Sequence, residues 1–466
     1  MTPLWTAKEA AAATGGKAAG DWTANGVSID TRTIQRDDIF VALTGENRDG
    51  HAFVADALDK GASVALVSRA VEGIDPKKLL IVSDTLTGLE ALGAAARART
   101  AASCAAVTGS VGKTSTKEAL RLVLSPQGAT HASEASYNNL WGVPLTLARM
   151  PAATTFGIFE IGMNHADEIR PLTRQVKPHV AMVTTVEAVH VEHFGSVEGI
   201  ADAKAEIFEG LSPGGIAVVN ADNPHAARLA AAANAVGARV WTFGEAGGEA
   251  QLISLSLDTY SSEIEAKILG DTVRFTYGAP GRHFVQNALG MLLVVKALGA
   301  DVPAAAEMLR NVRAVKGRGE RHVIAVDGGA FDLIDESYNA NPASMRAAIA
   351  LLQQARPGAG GRRIAVLGDM LELGPESPAM HAALAPTLMN AGVDLVFASG
   401  PAMSHLWAAL PVSIRGAWSE KSSDIASLIA ADVRAGDVVM IKGSFGSRMS
   451  LVVDALKARA PAAAEG

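Results

Sequence analysis

The sequence predicts an α/β protein with three domains, and three observations lead to this fold class. The chain has 466 residues, a length that accommodates about three domains at roughly 150 residues each. Apolar residues make up 49% of the chain and charged residues 19%, a composition typical of globular proteins and not of disordered chains. Short apolar runs of strand length are separated by helical stretches, which predicts sheets covered by helices.

Charge, hydropathy and cysteine content exclude several classes of protein. The net charge is −7 and the pI is about 5.9, so nucleic acid is not expected as a partner. No apolar run reaches the ~18 residues that a membrane span requires, and Lys8 and Glu9 near the start of the chain argue against a signal peptide. The single cysteine, Cys104, cannot form an internal disulfide, which favours a reducing cytoplasm.

Residues 1–100 are predicted to form a small N-terminal α/β domain. Thr6 and Glu9 have the spacing of a capping box before an alanine-rich helix, and Gly15 follows as its stop signal. A second alanine-rich helix is expected from residue 86 to about residue 99, just before the domain boundary. The predicted strands of this domain are the apolar runs 39–43, 64–67 and 79–82.

Residues 101–317 are predicted to form a central domain with a mostly parallel sheet. Its first strand, 104–108, leads into a glycine-rich loop and then a helix, and a long apolar helix is expected over 284–298. Three runs of alternating polarity predict a small antiparallel sheet in addition. These runs are 251–257, 263–268 and 272–277, and the other predicted strands are 156–161, 180–186 and 216–220.

Residues 318–466 are predicted to form a C-terminal domain with a doubly wound, Rossmann-like parallel sheet. Strands alternate here with helical stretches of ten to fifteen residues, a rhythm typical of parallel strands joined by helical crossovers. The predicted strands are 331–335, 363–367, 395–398 and 438–441.

The glycine-rich loop of the central domain is interpreted as a nucleotide phosphate loop, which makes that domain P-loop ATPase-like. Glycines let backbone N–H groups turn toward an anion, and the helix N-terminus adds its dipole. Val107 stands where the general pattern has its first glycine, so the motif is a shortened variant, and an ordinary strand–helix turn is the alternative. Lys113 is expected at the β- and γ-phosphates and Thr114 on Mg²⁺. The residues expected to bind ATP are Thr108, Gly109, Ser110, Val111, Gly112, Lys113, Thr114 and Ser115.

Three further residues are predicted to form a metal and charge cluster beside this loop. Glu160 ends a predicted strand, at the sheet edge where ligands of α/β proteins collect, and His190 lies just past the next strand. Taken alone, each also fits a surface or structural role. Lys204 falls on the apolar stripe of its helix, between Ile200 and Ile207. Desolvation would lower its pKa and allow the amine to add CO₂ as a carbamate, whereas a lysine at the edge of the stripe would extend to solvent.

Together these motifs resemble the Mur ligase family, ATP-dependent enzymes that form amide bonds in peptidoglycan precursor synthesis. The resemblance covers essentially the whole chain and implies two Mg²⁺ ions. It also implies that Asn287 contacts adenine, Arg318 the nucleotide phosphates, and Asp335 the ribose. The residues implied in catalysis are Lys113, Glu160, His190 and Lys204, and the implied metal ligands are Thr114, Glu160, His190 and carbamylated Lys204.

Within the family, three segments resemble the members that join D-alanyl-D-alanine to UDP-N-acetylmuramoyl-tripeptide. These segments are 137–144, 335–342 and 367–374. The segments 28–32 and 49–51 resemble the family's UDP-sugar-binding module. Trp141 and the segment 442–448 depart from the usual family pattern, and Asp369, Glu372 and His381 receive no role. The residues implied to bind substrate are Ser28, Asp30, Arg32, Asn138, Asn139, Asn339, Asn341, Lys442 and Ser444.

The reaction that this resemblance implies proceeds through an acyl phosphate. The tripeptide carboxylate attacks the γ-phosphate of ATP, ADP leaves, and the amine of D-alanyl-D-alanine then displaces phosphate. The expected protein is a cytoplasmic monomer that acts in peptidoglycan precursor synthesis. Two alternatives remain at this stage: another Mur-type or folylpolyglutamate-type ligase, and a non-catalytic binding protein switched by nucleotide.

Overall fold

The structure is a computed structural model that describes residues 2–45, 48–134, 136–188, 191–258 and 260–459. Its three large sheets follow one another along the chain, and helices cover them, as the sequence predicts for an α/β fold. Among the helices in these ranges, none has both the length and the apolar character needed to cross a membrane.

The N-terminal part of the chain forms a five-stranded sheet and a separate two-stranded ribbon. Four strands of the sheet are parallel and one edge strand is antiparallel, in the order β2-β7-β6-β5-β4. The predicted capping box is confirmed, since Thr6 Oγ1 accepts a hydrogen bond from the Glu9 N–H at 3.2 Å. The elements are β1 Trp5–Thr6, α1 Ala7–Thr14, β2 Lys17–Ala18, β3 Thr23–Ala24, β4 Gly26–Ser28, β5 Asp38–Val41, α2 Val54–Asp59, β6 Val64–Val67, β7 Leu79–Ile81 and α3 Thr85–Ala98.

The central part of the chain forms a nine-stranded sheet. Its strands are β8 Ser103–Thr108, β9 Thr130–Ala132, β10 Phe156–Glu160, β11 Val180–Val183, β12 Ile216–Asn220, β13 Arg239–Gly244, β14 Ala250–Leu257, β15 Ser262–Ile268 and β16 Asp271–Tyr277. Its helices are α4 Lys113–Leu124, α5 Gly142–Ala148, α6 Ile169–Val176, α7 Val191–Phe194, α8 Val197–Ala205, α9 Ala226–Ala235, α10 Arg282–Ala297 and α11 Val302–Met308.

The antiparallel strands of this part do not form a sheet of their own. They continue the parallel strands in the order β16-β15-β14-β13-β12-β11-β8-β10-β9, because β14 pairs parallel with β13 and antiparallel with β15. The almost continuously apolar helix α10 packs against β12, β13 and β14 and buries one face of the sheet. Strand β8, which leads into the glycine loop, lies between β10 and β11.

The C-terminal part forms a six-stranded sheet in the order β17-β18-β22-β19-β20-β21. All neighbours are parallel except the hairpin of the first two strands, and helices cover both faces, as a doubly wound sheet requires. The strands are β17 Glu320–Val326, β18 Gly329–Glu336, β19 Arg363–Gly368, β20 Leu395–Ser399, β21 Arg415–Ser419 and β22 Val438–Lys442. The helices are α12 Pro342–Gln354, α13 Ser377–Ala382, α14 Leu384–Asn390, α15 Met403–Ala409, α16 Ser422–Asp432 and α17 Ser450–Lys457.

Candidate active site

The glycine loop after β8 turns tightly around the N-terminus of α4. Gly109 has a φ of +146° and Gly112 a φ of +90°, conformations that side chains with a Cβ rarely adopt. A Cβ at Gly109 would also lie 1.9 Å from Thr184 Oγ1. That hydroxyl donates to the carbonyl of Val111 at 2.6 Å, so β11 holds the loop in place. The backbone N–H groups at the start of α4 are thereby positioned to bind an anion.

Two oxygens beside the loop fit a hard cation. Glu160 is the last residue of β10 and is 1% exposed, and Thr114, in the first turn of α4, is also buried. Asn138 Nδ2 donates to Glu160 Oε1 at 2.7 Å, but Glu160 Oε2 and Thr114 Oγ1 have no hydrogen-bond partner among the described residues. Buried polar atoms normally find a partner. A carboxylate and a hydroxyl without one suit Mg²⁺, which prefers oxygen ligands.

Two lysines lie close to each other on the same side of the loop. Lys113 Nζ donates to the Gly109 carbonyl at 2.6 Å; burial lowers the pKa of Lys113, and the Glu160 carboxylate opposes that effect. Lys204, on α8, is 3% exposed and makes no side-chain hydrogen bond within the described part of the chain. Burial lowers the pKa of Lys204 well below its ordinary value, and the charge on Lys113 lowers it further. The prediction that Lys204 is buried is therefore confirmed.

A cavity of about 330 Å³ lies in front of the loop and is closed on its other side by the C-terminal part of the chain. Lys442, at the end of β22, reaches into it and is held by Glu336 Oε2 at 3.1 Å and by the Asn339 carbonyl at 2.9 Å. The Arg318 guanidinium stacks over the Tyr338 ring at 4.3 Å. Predicted site residues that line this cavity are Ser110, Val111, Gly112, Lys113, Ser115, Asn138, Glu160, Arg318, Asn339, Asn341 and Lys442.

A smaller cavity of about 180 Å³ adjoins the loop on the side of α10. Asn287 lines it and lies against the backbone of the loop, since a Cβ at Gly112 would be 2.3 Å from Asn287 Nδ2. Thr184 and Asn220 line the same cavity from the ends of two parallel strands. Asn287 thus lies beside the loop, and its contact with adenine stays a prediction.

The structure does not bring Asp335 to these cavities. Alternate side chains of a strand point to opposite faces of its sheet, and it is the next residue, Glu336, that lines both cavities. Asp335 instead accepts hydrogen bonds from the Ser337 N–H at 3.0 Å and the Ser337 hydroxyl at 2.6 Å. Glu336 therefore faces the cavities where Asp335 was expected, and the contact of Asp335 with the ribose stays a prediction.

A third cavity, of about 370 Å³, lies between Lys204 and the C-terminal part of the chain. Asn339, Asn341 and Ser444 line it together with Gly109 and Lys113. Asn341 also caps α12, because its Oδ1 accepts the Ser344 N–H at 2.9 Å, while its buried Nδ2 has no partner in the described ranges. Apolar side chains complete the wall: Met163, Leu371, Leu373 and Phe445.

A larger cavity, of about 650 Å³, lies between the N-terminal and central sheets. Tyr137 lines it, whereas Ser136 and Asn138 line the cavity at the glycine loop, so one short segment separates the two spaces. Two arginines that the sequence analysis did not single out, Arg36 and Arg149, contribute to its wall. No local motif marks them, because the fold alone brings their distant segments together.

Several predicted residues lie beside these cavities or have structural roles. Ser28, Asp30 and Arg32 form a turn next to the large cavity without lining it, and Arg32 pairs with the Asp30 carboxylate. Asn139 Oδ1 accepts the N–H of Gly142, the first residue of α5, at 3.0 Å. His190 lies outside the described residues, and its place in the metal cluster stays a prediction.

The sequence analysis gave no role to Asp369, Glu372 and His381; two of them have structural roles, and the third lines a cavity. Asp369 accepts the Met403 N–H at 2.8 Å and fixes the start of α15. His381 is fully buried and accepts the Met370 N–H at 3.0 Å, so both are structural. Glu372, with a φ of +62°, lines the cavity next to Lys204.

Comparison with known proteins gives matches over nearly the whole chain. The Mur ligase family model described as its catalytic domain matches residues 23–100, the Mur ligase middle domain matches 107–295, and the glutamate ligase domain matches 317–445. The UDP-N-acetylmuramoyl-tripeptide–D-alanyl-D-alanine ligase of Rickettsia prowazekii is 33% identical over 453 residues, which are 97% of this chain and 99% of that protein. The Escherichia coli protein of the same name is 35% identical over 446 residues, 94% of each chain.

Solved structures agree with this assignment. A crystal structure of MurF from Acinetobacter baumannii has a TM-score of 0.87 and 30% identity and covers 98% of this chain and 99% of its own. The MurF ligase of Thermotoga maritima, solved in complex with ADP, has a TM-score of 0.77 and 25% identity, covering 93% of this chain and 97% of its own. The chain therefore belongs to the Mur ligase family.

Proposed function

We propose that this chain joins D-alanyl-D-alanine to UDP-N-acetylmuramoyl-tripeptide, with cleavage of ATP to ADP and phosphate. Full-length relatives at 33–35% identity carry the name of this ligase. One structural observation carries the proposal: the glycine loop, the Glu160 carboxylate and the buried Lys204 face the C-terminal Asn339 and Lys442 across adjoining cavities. Such a composite site can hold a nucleotide, a carboxylate and an amine together.

The residues of the first cavity support phosphoryl transfer. The tripeptide carboxylate attacks the γ-phosphate, the bond between that phosphorus and the bridging oxygen breaks, and ADP leaves. Lys113 and the N–H groups of the loop offset the negative charge that spreads over the transferred group. Arg318, stacked on Tyr338, is positioned to meet the phosphates from the C-terminal side. Glu336 is proposed to contact the sugar hydroxyls, since it lines both cavities.

Thr114 and Glu160 are proposed to hold one Mg²⁺ ion, and His190 with a carbamylated Lys204 to help hold a second. The orphaned oxygens of Thr114 and Glu160 and the neutral amine that burial favours at Lys204 support this arrangement. Bound Mg²⁺ supplies positive charge that neutralises the phosphates and the attacking carboxylate.

The third cavity, next to Lys204, is proposed to receive the incoming amine. After the acyl phosphate forms, the D-alanyl-D-alanine nitrogen attacks the acyl carbon, phosphate leaves, and the nitrogen loses a proton. Asn339, Asn341 and Ser444 offer polar groups to the dipeptide, and the apolar wall that includes Leu371 suits its methyl groups. Enclosure between the domains excludes water, which would otherwise hydrolyse the acyl phosphate.

The cavity between the N-terminal and central sheets is proposed to bind the UDP part of the substrate. Arg36 and Arg149 offer guanidinium groups that suit a diphosphate, and the turn of Ser28, Asp30 and Arg32 borders the cavity. We further propose domain boundaries near residues 100 and 317. We also propose that the enzyme is a cytoplasmic monomer, and the single cysteine is in keeping with a reducing cytoplasm.

The proposal is tested by measuring phosphate release and product mass together. With ATP, Mg²⁺ and UDP-N-acetylmuramoyl-tripeptide, phosphate release should depend on D-alanyl-D-alanine, and mass spectrometry should detect the pentapeptide product. A panel of amines, including diaminopimelate, lysine and glutamate, separates this reaction from those of other Mur-type and folylpolyglutamate-type ligases. ATP binding without any coupled product would instead favour the nucleotide-switched binding protein.

A further inference from the structure

Three side chains of the types that bind metal ions, Glu320, His322 and Asp335, converge at the open end of the β17–β18 hairpin. They lie outside the cavities of the proposed active site. Their ligand atoms all lie within 4.8 Å of one another. Glu320 is paired with Asp335 across the hairpin, and His322 is two residues further along β17. Since alternate residues of a strand share a face, all three side chains lie on the same face of the sheet. The opposite face carries Glu336, which lines the nucleotide cavities.

Among the described residues, no positively charged side chain forms an ion pair with the carboxylate of Asp335. Its side chain is 1% exposed, and within the described part of the chain both of its hydrogen bonds come from Ser337 and reach a single oxygen, Oδ1. Burial of a carboxylate without a cation is strongly unfavourable. The position therefore calls for positive charge that the described residues do not supply.

His322 provides an unsatisfied group at the same place. Its Nε2 is buried and lies 3.2 Å from Glu320 Oε2, yet it has no hydrogen-bond partner in the described ranges. The side chains of His322 and Glu320 are 23% and 35% exposed, so an ion can enter from solvent and water can complete its coordination. A bound metal ion would satisfy the imidazole nitrogen and both carboxylates at once.

We propose that Glu320, His322 and Asp335 bind a divalent transition-metal ion, with Zn²⁺ as the best match. Zn²⁺ accepts one imidazole and two carboxylates as ligands, at about 2.0–2.2 Å, and leaves a position for water. Mg²⁺ prefers oxygen ligands and keeps several waters, so it fits this set less well. The two hydrogen bonds from Ser337 orient the Asp335 carboxylate, as outer groups commonly do for metal ligands.

The experiment is a Zn²⁺ titration of the full-length chain by calorimetry, after removal of bound metals and in excess Mg²⁺ to occupy the oxygen sites. We expect one Zn²⁺ per chain. His322→Gln and Glu320→Gln should each weaken this binding at least tenfold, since loss of an outer-shell partner alone costs about 10–100-fold. Two matched controls should bind as the unmodified chain does: His405→Gln, at an exposed histidine far along the chain, and Glu160→Gln, at the proposed Mg²⁺ site.

A thermal readout accompanies the titration. Zn²⁺ should raise the melting temperature of the unmodified chain and of His405→Gln but not of His322→Gln, because a ligand stabilises only the state that binds it. Absence of Zn²⁺ binding by the unmodified chain, or equal binding by His322→Gln, would overturn the proposal. Should His322→Gln fail to fold, the titration of Glu320→Gln decides by the same criterion.

Discussion

Two buried lysines, Lys204 and Lys442, line adjoining cavities and differ in whether a carboxylate pairs with them. Lys204 is 3% exposed and Lys442 is 2% exposed. Lys442 forms an ion pair with Glu336 and donates to the Asn339 carbonyl, whereas Lys204 has no such partner within the described residues and lies near the charge of Lys113. A buried ammonium that pairs with a carboxylate keeps its charge and stabilises the fold. Burial of an amine without a carboxylate partner favours the neutral form, which is the nucleophilic one.

The largest effect is expected on activity at Lys204. Lys204→Ala should lower turnover on the order of 10³-fold, the loss typical when a charge-stabilising group of an active site is removed. A short-chain carboxylic acid such as acetate should restore part of the activity, whereas excess bicarbonate should not, because the variant has no amine to carbamylate. The measurement is phosphate release, with the exposed Lys267→Ala as control; full activity of Lys204→Ala would remove the carbamate from the account.

Lys113→Ala should also abolish most of the activity, by about 10²–10³-fold, but for a different reason. This lysine is proposed to supply charge directly to the phosphates and is not proposed to be modified. Its melting curve should stay close to that of the unmodified chain, and acetate should not restore turnover. Rescue by acetate at this position would contradict the distinction between the two lysines.

At Lys442 the main effect should be on stability. Lys442→Met leaves the mostly buried Glu336 carboxylate without its partner, which should cost about 3 kcal/mol of unfolding free energy. Adding Glu336→Leu to the same chain should recover much of that loss, because both members of the pair are then apolar. Thermal or urea unfolding of the two single variants and the double variant measures this; equal stability of Lys442→Met and the unmodified chain would contradict a structural ion pair.

Lys204→Met should raise the stability of the chain, whereas Lys442→Met should lower it. Unfolded chains keep the amine charged up to its ordinary pKa of 10.5, whereas burial lowers the pKa of Lys204 in the folded protein. Folding therefore releases protons at pH values between the lowered pKa and 10.5. The unmodified chain should therefore gain stability as pH rises between the lowered pKa of Lys204 and 10.5. At pH 7, in CO₂-free buffer, Lys204→Met should be more stable by about 1–2 kcal/mol, and this advantage should shrink toward pH 10.

The smallest effects are expected at two neighbouring asparagines, Asn138 and Asn139, which should respond differently to substitution by alanine. Asn139→Ala removes the hydrogen bond to the first residue of α5 and should cost about 1 kcal/mol of stability. Asn138→Ala frees the Glu160 carboxylate and should change kcat more than it changes the melting temperature. Kinetic assays and melting curves of both variants test this division; a purely kinetic effect of Asn139→Ala would return it to the substrate site.

Much of the site was predictable because its signals are local. The spacing around Gly112 marks the loop, the apolar run before Glu160 marks the end of a strand, and the apolar stripe around Lys204 marks its burial. Pairings between distant segments left no such signal. The partnership of Lys442 with Glu336 and the position of Arg149 in the large cavity depend on sheet order, which the sequence does not contain locally.

The fold was predictable to a similar extent. Apolar interior strands such as Val438–Lys442 stand out in the sequence, whereas the edge strands Glu320–Val326 and Arg415–Ser419 were not predicted, because they are polar and partly exposed. The finding that Glu336, and not Asp335, lines the cavities has the same origin. Neighbouring residues of a strand alternate between faces, and the crossover connections decide which face meets the nucleotide.

The most direct test of the comparison is carbon-13 NMR of the chain equilibrated with ¹³C-labelled bicarbonate. The account predicts a carbamate resonance in the unmodified chain and in Lys442→Met, and its loss in Lys204→Met. A carbamate signal that persists in Lys204→Met, or no such signal in the unmodified chain, would contradict the claim that Lys204 is the lysine that reacts with CO₂.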